Sequence, residues 1–218
     1  MDEIIAIYKP VGPTSHDMVN RVRRITGSRR VGHAGTLDPL ACGILIVGIG
    51  TATKRLGALS QTDKEYLATV KLGETSTTDD AEGEKTAVQV KQRPTDQEIA
   101  KVLHRFEGQI EQTPPIYSAV KVKGKEAYKY ARAGKKVTLK PRAVFIKTIT
   151  LNTYRWPQLT LTIACGSGVY IRSLARDIGR DLGSGAYLTA LERVRVGTYT
   201  IADTLTLEQL EQRFKQVK

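Results

Sequence analysis

Apolar residues fall into short unbroken runs and into helical stripes, and the two kinds of spacing predict different elements. Ile4 to Tyr8 is a short apolar run closed by Lys9-Pro10 and the turn residues Gly12-Pro13, which predicts a buried strand. A helix is predicted next: Thr14 and Asp17 form a capping box, Met18, Val22 and Ile25 share a face, and Gly27 suits the C-terminal cap. The run Gly32 to Pro39 is too rich in glycine and turn formers for a helix or a central strand, whereas Ile44 to Ile49 is continuously apolar and predicts a buried strand. Tyr66 to Leu72 alternates like a strand, and the acidic stretch Glu74 to Glu84 reads as an exposed loop.

Farther along, Thr95 and Glu98 make a second capping box, with Ile99, Val102, Leu103 and Phe106 on one face and Gly108 beyond. Tyr117 to Val122 and Gln158 to Cys165 are strand candidates. Ile171, Leu174, Ala175, Ile178 and Leu182 form an amphipathic helix stopped by Gly183. Leu207, Leu210, Phe214 and Val217 mark a last helix, with Thr206 and Gln209 as its capping box. Strands and helices are interspersed without a regular βαβ repeat, which predicts a mixed α+β class rather than a doubly wound sheet.

Composition narrows the class of partner. The 218 residues carry a net charge of +12, and a surplus of that size favours a polyanion, although a solvated basic surface is the plain alternative. The charge is concentrated: Lys121 to Arg142 holds Lys121, Lys123, Lys125, Lys129, Arg132, Lys135, Lys136, Lys140 and Arg142 against the single acid Glu126, with Tyr128 and Tyr130 interleaved. Such a mixture clamps phosphates and stacks on unpaired bases. Arg21, Arg23, Arg24, Arg29 and Arg30 make a second cluster just before the glycine-rich run, so a cleft for a folded nucleic acid is expected. No apolar run approaches the roughly 18 residues of a membrane span, and the N-terminus lacks the pattern of a signal peptide. Cys42 and Cys165 lack metal-ligand spacing and are expected to be free thiols in a reducing cytoplasm. No phosphate-binding loop, dinucleotide turn or metal set is found, so neither cofactor nor metal is expected.

Taken locally, Asp38 before Pro39 reads first as turn initiation, and a lone loop histidine such as His33 as a structural hydrogen-bonder. The run Gly32-His33-Ala34-Gly35-Thr36-Leu37-Asp38-Pro39-Leu40-Ala41-Cys42-Gly43, however, resembles the catalytic motif of the TruB family of tRNA pseudouridine synthases. Further segments resemble that family in the same order: Lys9 to Ser15, Lys64-Glu65-Tyr66 with Leu72-Gly73-Glu74, Thr113 to Lys121, Gly168 to Leu174, and Gly185 to Leu188.

The resemblance implies a central, mixed and largely antiparallel sheet with flanking helices, and an RNA-binding insertion at about residues 93–142 within one catalytic domain. It implies that Asp38 is the nucleophile, that Tyr66 stacks on the target base and that Arg172 pairs with Asp38. Lys9 supports the floor of the site, Leu191 lines the pocket, Tyr170 joins the substrate-binding set, and His33 enters the RNA where the target nucleotide leaves. Lys121, Lys129, Arg132 and Lys136 fall to RNA binding. The implied activity is isomerisation of uridine 55 in the T loop of tRNA, by a cytoplasmic monomer with no obligatory protein partner. Members usually carry a PUA domain after the catalytic domain, and none is expected here because the chain ends at Lys218. Alternatives are a guide-RNA-dependent relative and a catalytically idle RNA-binding module.

Overall fold

The computed structural model describes residues 2–122, 124–135 and 137–215. Two compact units are formed, the first by Met1–Leu67 with Leu191–Lys218 and the second by Ala68–Ala190. In chain order the first unit opens with β1 (Glu3–Lys9), α1 (Ser15–Thr26), β2 (Val31–Ala34), β3 (Ala41–Ile49) and the short α2 (Leu56–Ser60). Strand β4 (Lys64–Leu72) leads into the second unit, which continues with β5 (Glu74–Ser76), β6 (Lys85–Ala87), α3 (Asp96–Arg105) and β7 (Gly108–Gln112). There follow β8 (Lys121–Val122), β9 (Lys125–Glu126), α4 (Ala127–Arg132), β10 (Arg142–Arg155), β11 (Gln158–Cys165) and α5 (Ile171–Asp181). Strand β12 (Ala186–Val196) returns to the first unit, where β13 (Tyr199–Thr200), β14 (Thr204–Leu205) and α6 (Leu207–Lys215) end the described chain.

In the first unit β1 and β3 are antiparallel, with Ile5 opposite Val47 and Ile7 opposite Leu45. Both faces of this pair are covered, which is why β3 reads as an unbroken apolar run. Ile5, Ile7, Leu45, Val47 and Ile49 pack with Met18, Val19 and Val22 of α1 and with Leu210 of α6. Ala6, Ile44 and Ile46 point the other way and meet Leu56 and Leu59 of α2. Helix α1 is stopped and started as its sequence dictates: the Thr14 side chain accepts from the Asp17 N–H, and Gly27 closes the helix at φ 67°.

Along the edge of β3 opposite β1, two strands lie in succession. Strand β2 pairs antiparallel with Ile46 to Ile49, while β12 pairs parallel with Ala41 to Gly43. The chain from β2 to β3 must therefore loop out at residues 35–40, and that loop carries Asp38. Gly32, His33 and Ala34 thus belong to a side strand, and only the latter half of the glycine-rich run is a loop.

In the second unit the strand order is β4-β11-β10-β7, and β10 pairs antiparallel with both neighbours. Helix α3 begins at the Thr95–Glu98 capping box, buries Ile99, Val102 and Leu103, and packs on β10 and α5. The architecture is α+β, as the element pattern predicts, and antiparallel pairing predominates, as the family resemblance implies. Neither Cys42 nor Cys165 is held in a disulfide. Among the described residues no helix is long and apolar enough to cross a membrane.

Two local expectations need correcting. The acidic stretch after β4 is not a plain exposed loop: β5 and β6 form a hairpin, and Asp80 between them is buried. Of Tyr117 to Val122, only Lys121–Val122 is strand. The Tyr117 carbonyl accepts from Arg172, and those of Ser118 and Val120 accept from the N–H groups of Tyr128 and Ala127. These carbonyls are taken by turn and side-chain partners instead of a ladder.

Candidate functional site

Asp38, Lys9, His33, Tyr66 and Leu191 belong to the first unit, and Tyr170, Arg172, Lys121, Lys129 and Arg132 to the second. Lys136 lies outside the described residues.

The loop around Asp38 is fastened by backbone hydrogen bonds at Gly35, Leu37, Asp38 and Pro39. The Ser15 hydroxyl at the start of α1 donates to the Leu37 carbonyl at 3.0 Å and accepts from the Leu37 N–H at 2.8 Å. The Asp38 carbonyl accepts from the Ala41 N–H at 3.1 Å, and the Gly12 N–H donates to the Pro39 carbonyl at 2.8 Å. Lys9, the last residue of β1, has no solvent exposure. Its ammonium donates to the carbonyls of Ala41 at 2.6 Å, Pro10 at 2.8 Å and Pro39 at 3.5 Å. Burial pulls the Lys9 pKa below its ordinary value, opposed by the charges of Cys42 and Asp38. Lys9 is thus a buried cation satisfied by backbone oxygen, bound on both sides of the residues that follow Asp38.

A second such cation was not found in the sequence. Arg193 of β12 is 1 % exposed, and its guanidinium donates from Nε to the Ile44 carbonyl at 2.8 Å and from Nη2 to the Gly35 carbonyl at 3.0 Å. Its main chain lies so close to Gly43 that a Cβ there would sit 2.4 Å from the Arg193 carbonyl oxygen, so this position accepts only glycine. No local signal marks Arg193, because its burial follows from the pairing of β12 with β3. In the same register Leu191 stands opposite Ala41, and the Cys42 thiol donates to the Leu191 carbonyl at 3.7 Å. The Tyr8 hydroxyl donates to Glu192 at 3.0 Å, and its pKa is raised by the Cys42 thiol, by burial and by Glu192.

His33 sits in β2 opposite Val47, with its Nδ1 buried and without a hydrogen-bond partner among the described residues. Burial, then the charges of Arg193 and His16, hold its pKa below the usual 6.5. Tyr66 in β4 is buried.

In the second unit Arg172, in the first turn of α5, is 4 % exposed and meets the equally buried Asp80 at 3.3 Å. Its guanidinium also donates to the carbonyls of Thr78 at 3.3 Å and Tyr117 at 2.9 Å. Asp80 was missed because it lies in a stretch that reads as solvent-exposed. One helical turn on, Arg176 donates to Asp79 at 2.7 Å and to the neighbouring Asp177 at 3.1 Å. Burial raises the Asp79 pKa, partly offset by Arg176 and Arg172. The Tyr170 N–H donates to Gln112 Oε1 at 2.8 Å, and the Gln112 amide donates back to the Tyr170 carbonyl at 3.1 Å.

The basic segment folds as the β8–β9 hairpin followed by α4, over a small core of Val120, Ala127 and Leu139 with Tyr170 packed against it. Lys121, Lys129 and Arg132 are exposed. Lys129 pairs with Glu126 at 2.9 Å, and the Arg132 guanidinium lies 5.4 Å from the Tyr128 ring centre. Among the described residues no cluster of His, Cys, Asp and Glu is placed to hold a metal.

Comparison with known proteins turns this geometry into a family assignment. Residues 23–171 match the N-terminal domain of the TruB family of pseudouridylate synthases, and residues 172–218 match the C-terminal domain of tRNA pseudouridylate synthase B. The tRNA pseudouridine synthase B of Thermobifida fusca (strain YX) is 48% identical over 225 residues, which cover 98% of this chain and 75% of that protein. Its namesake in Streptomyces coelicolor is 44% identical, over 97% of this chain and 73% of that one. Among solved structures, a chain of a Cbf5-Nop10-Gar1 complex superposes with a TM-score of 0.76 at 30% identity, covering 96% of this chain and 53% of that one. A chain of an H/ACA RNP bound to a substrate RNA containing 2'-deoxyuridine gives 0.72 at 27% identity, covering 96% of this chain and 52% of that one. The chain therefore spans about half the length of those solved chains. With well over half its residues matched by the family model and relatives near half-identical along most of their length, the chain belongs to the TruB family of pseudouridylate synthases.

Proposed function

We propose that this chain isomerises uridine 55 in the T loop of tRNA to pseudouridine, with Asp38 as the nucleophile. The observation that carries this reading is the Asp38 loop, a family-motif carboxylate held between carbonyls fixed by the buried Lys9 and Arg193. The reaction breaks the C1′–N1 bond, turns the base and makes a C1′–C5 bond. N1 takes up a proton and C5 releases one, so atoms balance without redox chemistry. A carboxylate can hold base or sugar covalently between the two bond changes.

To react, the target must leave its stack, at a cost of a few kcal/mol. Tyr66 supplies the aromatic platform for the extruded base, with Leu191 lining the pocket, Tyr170 among the substrate-binding residues and His33 entering the space the nucleotide vacates. Arg172 serves the Asp38 carboxylate, and Asp80 holds that guanidinium in its buried pose. The exposed cations Lys121, Lys129 and Arg132 grip the T arm, as does Lys136.

A guide-dependent reading draws on the likeness to the Cbf5 and H/ACA chains, at 27–30% identity. The relatives named tRNA pseudouridine synthase B stand higher, at 44–48%, and favour direct action on tRNA.

Tritium release from a tRNA transcript labelled at uridine C5 tests the reading. Wild type alone should release label, Asp38→Asn should release none while binding tRNA as tightly, and product mapping should give position 55. Turnover by Asp38→Asn would remove Asp38 from its role. Turnover only on addition of a guide RNA would move the chain to the other reading.

A further inference from the structure

Arg193 and Lys9 share a property rare for buried cations: neither has a carboxylate within ion-pair distance among the described residues. Their hydrogen-bond partners are carbonyl oxygens alone. Burying a cation is costly unless something repays it, and neutral carbonyls repay less than an acid would. Glu192, the next residue in the chain, is engaged by Tyr8 instead. A Met or Leu at 193 would fill this fully enclosed position without that cost, so core packing does not account for an arginine. What it does here is span. One planar group ties Gly35, upstream of Asp38, to Ile44, downstream of it in β3. Lys9 ties the inner carbonyls, Pro39 and Ala41.

We propose that Arg193 is a positioning residue for the reaction, its guanidinium bracing both ends of the loop that carries Asp38 and so fixing the pose of that carboxylate. The inference rests on the reading of Asp38 as nucleophile. A guanidinium is suited to the task because its rigid fork presents several N–H donors in one plane, whereas an ammonium is a compact point donor. A lysine at 193 keeps the charge but cannot span the two carbonyls in the same geometry. Loosening the loop leaves RNA affinity untouched, because the exposed cations that would grip RNA lie elsewhere in the chain. It displaces the nucleophile, and a misplacement of about 1 Å costs on the order of 100-fold in rate.

The test compares wild type, Arg193→Lys, Arg193→Met and Asp38→Asn. Thermal melting checks folding, filter binding gives tRNA affinity, and single-turnover tritium release at saturating tRNA gives the rate. The expected result for folded Arg193→Met is a rate lower by about 100-fold with affinity within about 2-fold of wild type. Arg193→Lys should recover only part of that rate. If Arg193→Met does not fold, Arg193→Lys carries the test alone, and a rate at least about 10-fold down at unchanged affinity supports the proposal. A folded variant whose rate equals that of wild type overturns it, as does a loss confined to melting temperature or to affinity. Turnover by Asp38→Asn would instead bring down the reading of Asp38 itself. An inactive Asp38→Asn beside a fully active Arg193→Lys would bring down only the inference about Arg193.

Discussion

The two units satisfy their buried and half-buried cations in opposite ways. In the first, Lys9 and Arg193 rest on backbone carbonyls, while in the second, Arg172 and Arg176 meet the carboxylates of Asp80, Asp79 and Asp177. Charge explains why the difference matters. A carbonyl satisfies the donor but leaves the positive charge uncancelled, and in the first unit this happens beside the loop that carries Asp38. Arginines paired with acids lose most of their outward field and gain a fixed orientation. The first arrangement leaves positive charge beside the loop that carries Asp38, and the second fixes the orientation of an arginine.

The largest expected effect that would test this contrast is on stability. Asp80→Ala removes a carboxylate 3.3 Å from a buried guanidinium and should cost about 3 kcal/mol in urea unfolding. Lys9→Met removes a charge together with its burial penalty and strands only neutral carbonyls, so about 1–2 kcal/mol is expected. A greater loss from Lys9→Met would break the comparison.

The pH dependence of stability should differ in sign between the units. His33 has a lowered pKa, so the unfolded chain binds more protons below 6.5, and stability rises with pH up to that value. Asp79 has a raised pKa, so the folded chain binds more protons above 3.8, and stability falls as pH rises through its folded value. Unfolding of wild type, His33→Gln and Asp79→Asn across this range checks both. Each substitution should flatten only its own limb, and an unchanged slope in either variant would remove that group from the account.

The smallest effect concerns the exposed cations, which lack both kinds of burial. Replacing Lys129 and Arg132 by alanine should lower the salt slope of tRNA binding by about 1–2, with stability unchanged. An unaltered slope would return α4 to a solvated surface.

Helices α1, α3 and α6 could be read from the chain because their stripes and caps are local. Thr14 and Asp17, Thr95 and Glu98, and Thr206 and Gln209 each lie three residues apart and bond as that spacing allows. Strand β3 was legible because both its faces are apolar. Strand β10 was not: it buries little beyond Ile146 and Ile149, and its register with β11 shifts twice, so no alternation survives along it. Strand β12 hid for another reason, since an arginine stands at one of its most buried positions.

By itself, then, the sequence determined the elements whose signals lie within a few residues, the concentration of basic charge over Lys121 to Arg142, and the motif that carries Asp38. Only the tertiary structure decided what holds that motif and what pairs with Arg172. Arg193 reaches Gly35 across 158 positions, and Arg172 reaches Thr78 beside Asp80 across 94. Burial of a charged side chain depends on which distant backbone or acid arrives to satisfy it, and composition and periodicity carry no record of that partner.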